Sequence, residues 1–586
     1  MKDVIHRSII IPDALIQSKL QQHNSVYYYL FIRSGVRVCI LFCLFLILFS
    51  SSALAQTTWL LIDRETSHLA DRLETLSGSL SDSLFLANQP ISRKEYSYFL
   101  AEKLKENEKQ FTRQDKSNIH RALSVHQEWA PEISYSQKNW IDPFYKTPAD
   151  FISVHDKKFF LSVNPAFGFQ FISDNKQNKP SLNAQYGVVV RGKVGKGLGF
   201  YAEVTHQQET APAYVQNWQY KFGAVPGAGP YTISQDGRAN YLLVNAHVDV
   251  PILQDYISAT AGFGKHFIGD GIRSLFISDF AAAAPYLRIN TRVWKLHYQN
   301  LYMELVPQHG TTGKHKYLTM HHLSINATRW LNIGLFETVV FGRGDRFEFG
   351  YLNPIIFYRQ TERALGSPDK VSLGINFKAI VLKRLQFYGQ FLLNEFTAKE
   401  FFANKGYWAN KWGLQLGGKY FNAFSVKNLD LQAELNLIRP YTYTHRDLMT
   451  NFTHYNQPLA HPLGAGIREF IGQARYQPHK DWVVLLKAGY YQQGQDTGVA
   501  NYGSNILKSY DTRESDYGVH MINGVPTHCT WVQGTVTYQF KPNLFIDLGT
   551  HLRRYEFENN TVRAHNTALV YGGIRYMLSR RSYDFF

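Results

Sequence analysis

Cysteine is scarce in this chain, with three among 586 residues. Cys39 and Cys43 fall in an apolar N-terminal stretch, so Cys529 alone remains beyond it. That excludes a disulfide framework or a cysteine metal cluster for the rest of the chain. Charge is sparse too, at 18% of residues. No apolar run beyond the N-terminal stretch approaches the roughly 20 residues of a spanning helix. No G-x-S-x-G elbow appears, and Lys193-Val194-Gly195-Lys196-Gly197 lacks P-loop spacing. Ser324 lies near His321 and His322, but no acid completes a nucleophilic set. Basic residues do not cluster with aromatics, which argues against a nucleic-acid partner. The expectation is a protein that is not an enzyme and uses no cofactor or metal.

What is abundant is aromatic side chain, at 15% of residues, together with a formal net charge of +16. A basic surface attracts polyanions such as acidic polysaccharide or lipopolysaccharide phosphates. Mean hydropathy is −0.28, which does not exclude a β-barrel, because only alternate strand residues of a barrel face lipid. Arg33 and Arg37 precede the apolar run Val38–Phe49, followed by Ala53-Leu54-Ala55. This three-part pattern reads as a secretory signal peptide over 1–55, with a long n-region that places the true start downstream of Met1.

Residues 56–132 read as a helical domain. Leu69, Leu73 and Leu76 have helical spacing, Ser92 with Glu95 forms a capping box before Tyr96, Phe99 and Leu100, and Thr112 with Asp115 opens a third helix carrying Ile119 and Leu123. A linker over 133–157 follows. From 158 to 586 the pattern changes to strict alternation. Phe159, Leu161, Val163, Pro165, Phe167, Phe169 and Phe171 occupy every second position, so one strand face is apolar and the other wet. Leu429, Leu431, Ala433, Leu435 and Leu437 alternate in the same way with Asp430, Gln432, Glu434 and Asn436. Nine long connections alternate with eight short turns along this region. The prediction is an all-β transmembrane antiparallel barrel of about 18 strands, with short turns and both ends on the periplasmic side and the helical domain preceding it. Closure pairs the strand at Phe159 with the last strand near Thr567–Leu578. The terminal Phe585-Phe586 suits recognition during barrel assembly.

Three loop blocks carry a family likeness. They are Phe263-Gly264-Lys265-His266-Phe267-Ile268-Gly269-Asp270-Gly271-Ile272-Arg273-Ser274-Leu275; Tyr351-Leu352-Asn353-Pro354 through Arg359, Glu362 and Gly366-Ser367-Pro368-Asp369; and His454-Tyr455-Asn456-Gln457-Pro458-Leu459-Ala460-His461-Pro462-Leu463-Gly464. With the helical segment, the chain resembles the Wzi-like capsule-assembly outer-membrane proteins, and within them the branch that includes the gliding-motility protein RemB. The resemblance implies an outer-membrane barrel that binds or organises surface polysaccharide, with outer-membrane lipids and gliding or envelope machinery as partners. The alternative class is a transport pore, motivated by the polar lumen-facing residues.

Two loops supply candidate ligand-binding residues. In the first, Tyr351, Asn353, Arg359, Glu362, Arg363 and Asp369 combine aromatic faces with guanidinium and carboxylate groups, which grip sugars and carboxylates. The competing reading, and the stronger, is a plug folded into the lumen, since irregular backbone at membrane depth is tolerated when buried in protein. In the second loop, His454, Asn456, Gln457 and His461 match no metal-ligand spacing, and Pro458 and Pro462 break any aligning helix. Asp270 and Asp279 flank a Gly-rich turn without calcium-loop spacing.

Overall fold

A computed structural model describes residues 58–585, apart from 107–108, 130–148, 157, 178, 196, 254–255, 309–314, 344–346, 356–357, 359–368 and 559–563. The candidate signal peptide and most of the 133–157 linker lie outside the described residues. Leu54–Phe586 form one compact unit.

Eighteen antiparallel strands close a barrel. They are β1 (Phe159–Asp174), β2 (Ser181–Val194), β3 (Leu198–Glu209), β4 (Ala239–Leu253), β5 (Ile257–Gly264), β6 (Ala284–Val293), β7 (Leu296–Leu305), β8 (His315–Asn326), β9 (Leu331–Arg343), β10 (Lys370–Val381), β11 (Leu385–Glu395), β12 (Lys411–Tyr420), β13 (Leu429–Ile438), β14 (Ile467–His479), β15 (Trp482–Gln495), β16 (Val525–Lys541), β17 (Leu544–Phe557) and β18 (His565–Tyr576). β18 pairs with β1, from Tyr576↔Phe167 to Leu569↔Asp174, so the sheet has no free edge. The short turns and long connections expected from the sequence are those observed.

The alternation sorts side chains by face as the pleat requires. Phe171 and Leu548 are 64% and 61% exposed on the outside, while Ser162, Asn164 and Asp547 are buried inside. Trp294, Trp330 and Trp482 stand exposed beside short turns, where the aromatic girdle of a membrane barrel belongs. This outer band is lipid-compatible, and its counterpart inside is not a water-filled bore. Gln299, Lys316, His322, Gln415, Glu434 and Asn436 point inward and are each at most 1% exposed.

Several pieces of chain occupy the lumen. At the short-turn end lie α1 (Arg64–Ser77), α2 (Arg93–Glu106) and α3 (Arg113–Val125). Their apolar stripes meet in one core of Leu69, Leu73, Tyr96, Phe99, Ile119 and Leu123, which also takes in Phe421 from a barrel turn. Asp63 caps α1, and Thr112 with Asp115 forms a full capping box on α3. At α2 the Ser92 Oγ accepts from Glu95 N at 3.2 Å, while the Glu95 carboxylate contacts Arg292 on the wall. The second piece is the 265–283 connection, which folds inward and pairs Phe267 and Ile268 with Gln89 and Asn88. The third is the 439–466 connection, described below. The fourth is the C-terminal tail. It turns back from β18, and Asp584 reaches Lys487 Nζ at 3.1 Å inside the barrel. The tail after Tyr576 is therefore lumen filling.

Between helices and wall, opposite charges replace solvent. Lys378 Nζ on β10 lies 2.9 Å from Glu74, 3.5 Å from Asp270 and 3.8 Å from Asp71, and Lys419 Nζ lies 2.6 Å from Asp71. Arg72 bridges Asp115 at 2.7 Å and Asp430 at 2.5 Å. Burial pushes the Glu74 and Asp270 carboxyls above the usual carboxylate range. Burial acts on Asp71 in the same direction, but Lys419 and Lys378 hold it below that range. A lone buried charge is strongly destabilising, so Lys378→Met should weaken helix docking by about 3–5 kcal/mol. Limited proteolysis checks this. The α1–α3 segment should become cleavable while the barrel keeps its heat-modifiable migration on unheated gels.

Candidate functional site

The 265–283 connection is held by wall side chains that satisfy its irregular backbone. Gln390 Nε2 donates to Ile268 O at 2.8 Å, and its Oε1 accepts from Leu275 N at 2.8 Å. Glu434 accepts from Ile272 N at 2.6 Å and Arg273 N at 3.0 Å, and Gln415 donates to Arg273 O at 2.9 Å. Arg273 then reaches across the lumen, donating to Glu469 Oε1 at 3.2 Å and to Asp584 O at 2.8 Å. The segment's other face is apolar. Phe276 stacks on Phe336 with centroids 4.2 Å apart, and a Cβ on Gly374 would fall 2.4 Å from the Phe276 ring, so glycine is required there. Asp270 and Asp279, which flank the Gly-rich turn, pair with Lys378 and Arg64. Among the described residues no group of three His, Cys, Asp or Glu side chains is placed to hold a metal. His322 meets the amides of Asn88 and Asn376, and Ser324 donates to Asn332.

The second candidate block is built into this same interior. Thr453↔Pro458 and His454↔Gln457 pair as a two-residue hairpin, with Tyr455 and Asn456 at φ of +49° and +59°, the left-handed pair of a tight turn. His454 Nδ1 accepts from Val306 N at 2.9 Å, and its Nε2 donates to Ala283 O at 3.2 Å. Asn456 donates to Phe222 O at 2.9 Å, at the end of α4 (Ala213–Phe222), and Gln457 Oε1 accepts from Gly227 N at 2.8 Å. His461 Nε2 lies 2.6 Å from Glu469. All four side chains are buried; three engage other connections, and His461 engages Glu469 of β14. The hairpin thus clasps the 265–283 segment, which also contributes Ser278 N to Leu459 O at 2.8 Å.

The first candidate loop lies elsewhere, and the expectation that it plugs the lumen is corrected. Its described part packs against the outer face of the wall, where Tyr351 and Tyr358 form a cluster with Val339 and Phe341 of β9. Tyr351 OH donates to Asp369 Oδ2 at 2.7 Å, and Arg343 grips Asp369 with two 2.8 Å bonds. Asn353 is exposed and its Oδ1 accepts from Ile355 N at 3.1 Å. Arg359, Glu362 and Arg363 lie outside the described residues. The lumen was already full. An apolar, aromatic-rich segment finds its complement on the outer wall instead.

The seven described candidate residues therefore do not converge on one site. The structure gathers a different surface at the long-loop end, one that sequence reasoning missed. Trp408 is flanked by Lys411 Nζ at 4.5 Å and the Arg513 guanidinium at 4.2 Å from its ring centroid, and Lys411 also sits 3.9 Å from the Tyr510 ring. Lys411 is held by Glu395 at 2.8 Å. Beside it, Tyr407 contacts Tyr517, and Phe401 and Phe402 project from α5 (Ala398–Ala403). Phe402 is 81% and Tyr517 46% exposed. The aromatics and Arg513 come from two connections, 396–410 and 496–524, that are distant in the chain, and Glu395 and Lys411 from the strand ends that flank the first. The available signal was only their high aromatic content.

No known family profile matches the chain, and no curated protein matches it. Among solved structures it is similar to Wzi, an outer-membrane protein involved in group 1 capsule assembly in Escherichia coli and described as a carbohydrate-binding β-barrel. The TM-score is 0.51 at 12% identity, over 90% of this chain and 100% of that one. It is also similar to Pseudomonas aeruginosa OccK1, with TM-score 0.41 at 9% identity over 71% and 98%. For OprD of the same organism the TM-score is 0.40 at 9% identity over 72% and 96%. At such identity the likeness to Wzi is one of fold.

The buried hairpin carries a pH signature. Burial lowers the His454 pKa to about 3, against about 6.5 in an unfolded chain. The unfolded chain takes up a proton that the folded chain excludes, so stability is full above pH 6.5 and falls as pH drops toward 3. Urea midpoints measured across this range should decline, and His454→Asn should make the decline shallower.

Proposed function

We propose that this chain is a non-enzymatic outer-membrane barrel, sealed by its own plug, that binds or organises surface polysaccharide at its long-loop end. The observation that carries the reading is the burial of the lumen-facing polar side chains. In a conducting pore Gln415, Glu434 and Asn436 would be wetted, whereas here each is at most 1% exposed and bonded to other side chains or plug backbone. Short turns face the periplasm in barrels of this type, which puts α1–α3 on the periplasmic side and the Trp408–Tyr517 surface outside. The exposed aromatic faces of Phe401, Phe402 and Tyr517, with the partly exposed Arg513 guanidinium beside them, suit a sugar ring bearing acidic substituents. The net charge of +16 favours an anionic polymer over a neutral one. The fold shared with Wzi, itself described as carbohydrate-binding, supports the same class. In its finer form the reading is capsule assembly or retention in the service of adhesion and gliding movement.

Deletion of the gene should reduce cell-attached polysaccharide or surface adhesion, and unchanged amounts of both would count against the proposal. In the purified protein, Phe402→Ala with Tyr517→Ala should weaken glycan retention about tenfold, the scale of losing an exposed aromatic anchor pair. Planar-bilayer recording separates the channel alternative. Large, stable open currents would sink the sealed-binder reading.

A further inference from the structure

The outer face of β7–β9 breaks the rule the rest of the wall obeys. Leu301 and Met303 of β7, Met320 of β8 and Phe336 of β9 belong to the lumen core, so the alternate residues Asn300, His321 and Glu337 point outward. They are direct cross-strand neighbours, Asn300↔His321↔Glu337, in register with Leu373 of β10. An amide, an imidazole and a carboxylate thus stand in the outer wall at the level of the apolar band. All three are buried, because the chain after β9 lies over them.

That covering segment is non-strand chain, a 3-10 turn over Phe349–Leu352 followed by irregular backbone, and the wall is built to satisfy it. Tyr298 OH and Asn300 Nδ2 both donate to Pro354 O, at 2.7 Å and 3.1 Å. Tyr302 OH donates to Leu352 O at 3.2 Å, and Glu337 Oε1 accepts from Tyr358 N at 2.9 Å. The His321 ring stacks on Tyr358 with centroids 4.3 Å apart. Irregular backbone cannot persist in hydrocarbon unless protein supplies its hydrogen bonds, and here the outward polar row does so. The far side of the segment is apolar. Phe349 and Ile355 are 78% and 68% exposed, and with Leu352 they continue the exposed band of Leu335, Leu373 and Ile375.

We infer that residues 349–355 form a lipid-facing apron, a stretch of irregular chain that replaces strand surface as the contact with membrane acyl chains, and that Tyr298, Asn300, Tyr302 and Glu337 are the wall residues that make this possible. The occupant is hydrocarbon rather than a protein partner, because the exposed residues are apolar and lie beside the apolar outer band of β9 and β10. The inference rests on the barrel being embedded in a membrane.

The test uses the full chain in phospholipid vesicles, with Cys39 and Cys43 changed to serine and the buried Cys529 left in place. Nitroxide labels at Ile355→Cys, at the band position Leu548→Cys and at the loop position Val499→Cys are compared for collision with oxygen and with a water-soluble nickel chelate. The Ile355 label should match Leu548, relaxed by oxygen and shielded from nickel, and should differ from Val499. An Ile355 label behaving like Val499 would overturn the apron, and so would one hidden from both reagents, which would put protein over it. If Leu548 also behaves like Val499, the membrane reading itself fails. Asn300→Leu with Glu337→Leu removes two of the wall partners and should move the Ile355 label toward the Val499 behaviour. A label that stays lipid-like would overturn the role given to those side chains.

Discussion

Arg273 stands at the centre of the lumen and joins four parts of the molecule. Its backbone N–H and that of Ile272 are held by Glu434 of β13, and its side chain meets Glu469 of β14 and the carbonyl of Asp584 in the tail. Glu469 in turn takes His461 of the 439–466 connection at 2.6 Å. Two inward carboxylates in a dry lumen would be costly alone. The 265–283 segment supplies what each needs, the Arg273 guanidinium for Glu469 and two backbone N–H groups for Glu434. The buried position of the tail, the hairpin and the inward connection all follow from that pairing.

The same device recurs on both sides of the wall. Inside, Gln390, Gln415 and Glu434 hydrogen-bond the irregular backbone of the 265–283 segment. Outside, Tyr298, Asn300, Tyr302 and Glu337 do so for the backbone of Leu352, Pro354 and Tyr358. A barrel wall satisfies its own backbone completely, so its polar side chains are free to serve non-strand chain. Where they do, irregular chain can lie at membrane depth. The wall is therefore a template as much as a fence.

On the proposed reading, function lies away from the bore. Transport needs a wetted path, and this lumen is occupied by helices, an inward loop, a clasping hairpin and the tail. What stays exposed at the long-loop end is the aromatic surface of Phe401, Phe402 and Tyr517, beside the buried Trp408. Its cations are fixed by packing, with Lys411 held between Trp408, Tyr510 and Glu395.

The strands were legible in the sequence because the pleat has a period of two and lipid enforces it. Phe159–Phe171 and Leu429–Leu437 declare their faces residue by residue, and turn lengths declare their order. The helices were legible for a similar local reason, in Leu69, Leu73, Leu76 and the Thr112–Asp115 box. Where the connections go was not legible. The 344–369 loop reads as a plug from its aromatics and charges, yet its described part lies on the outer wall. His454, Asn456, Gln457 and His461 read as a possible ligand set, yet they bond to Val306, Phe222, Gly227 and Glu469. A strand's partner is its neighbour in the pattern, but a loop's partner is whatever closure brings opposite it. By itself the sequence determined the barrel, its count and its faces, because those depend on local periodicity. Only the tertiary structure decided what fills the barrel and what covers it, because those depend on pairings such as Arg273 with Glu469, 196 residues apart in the chain.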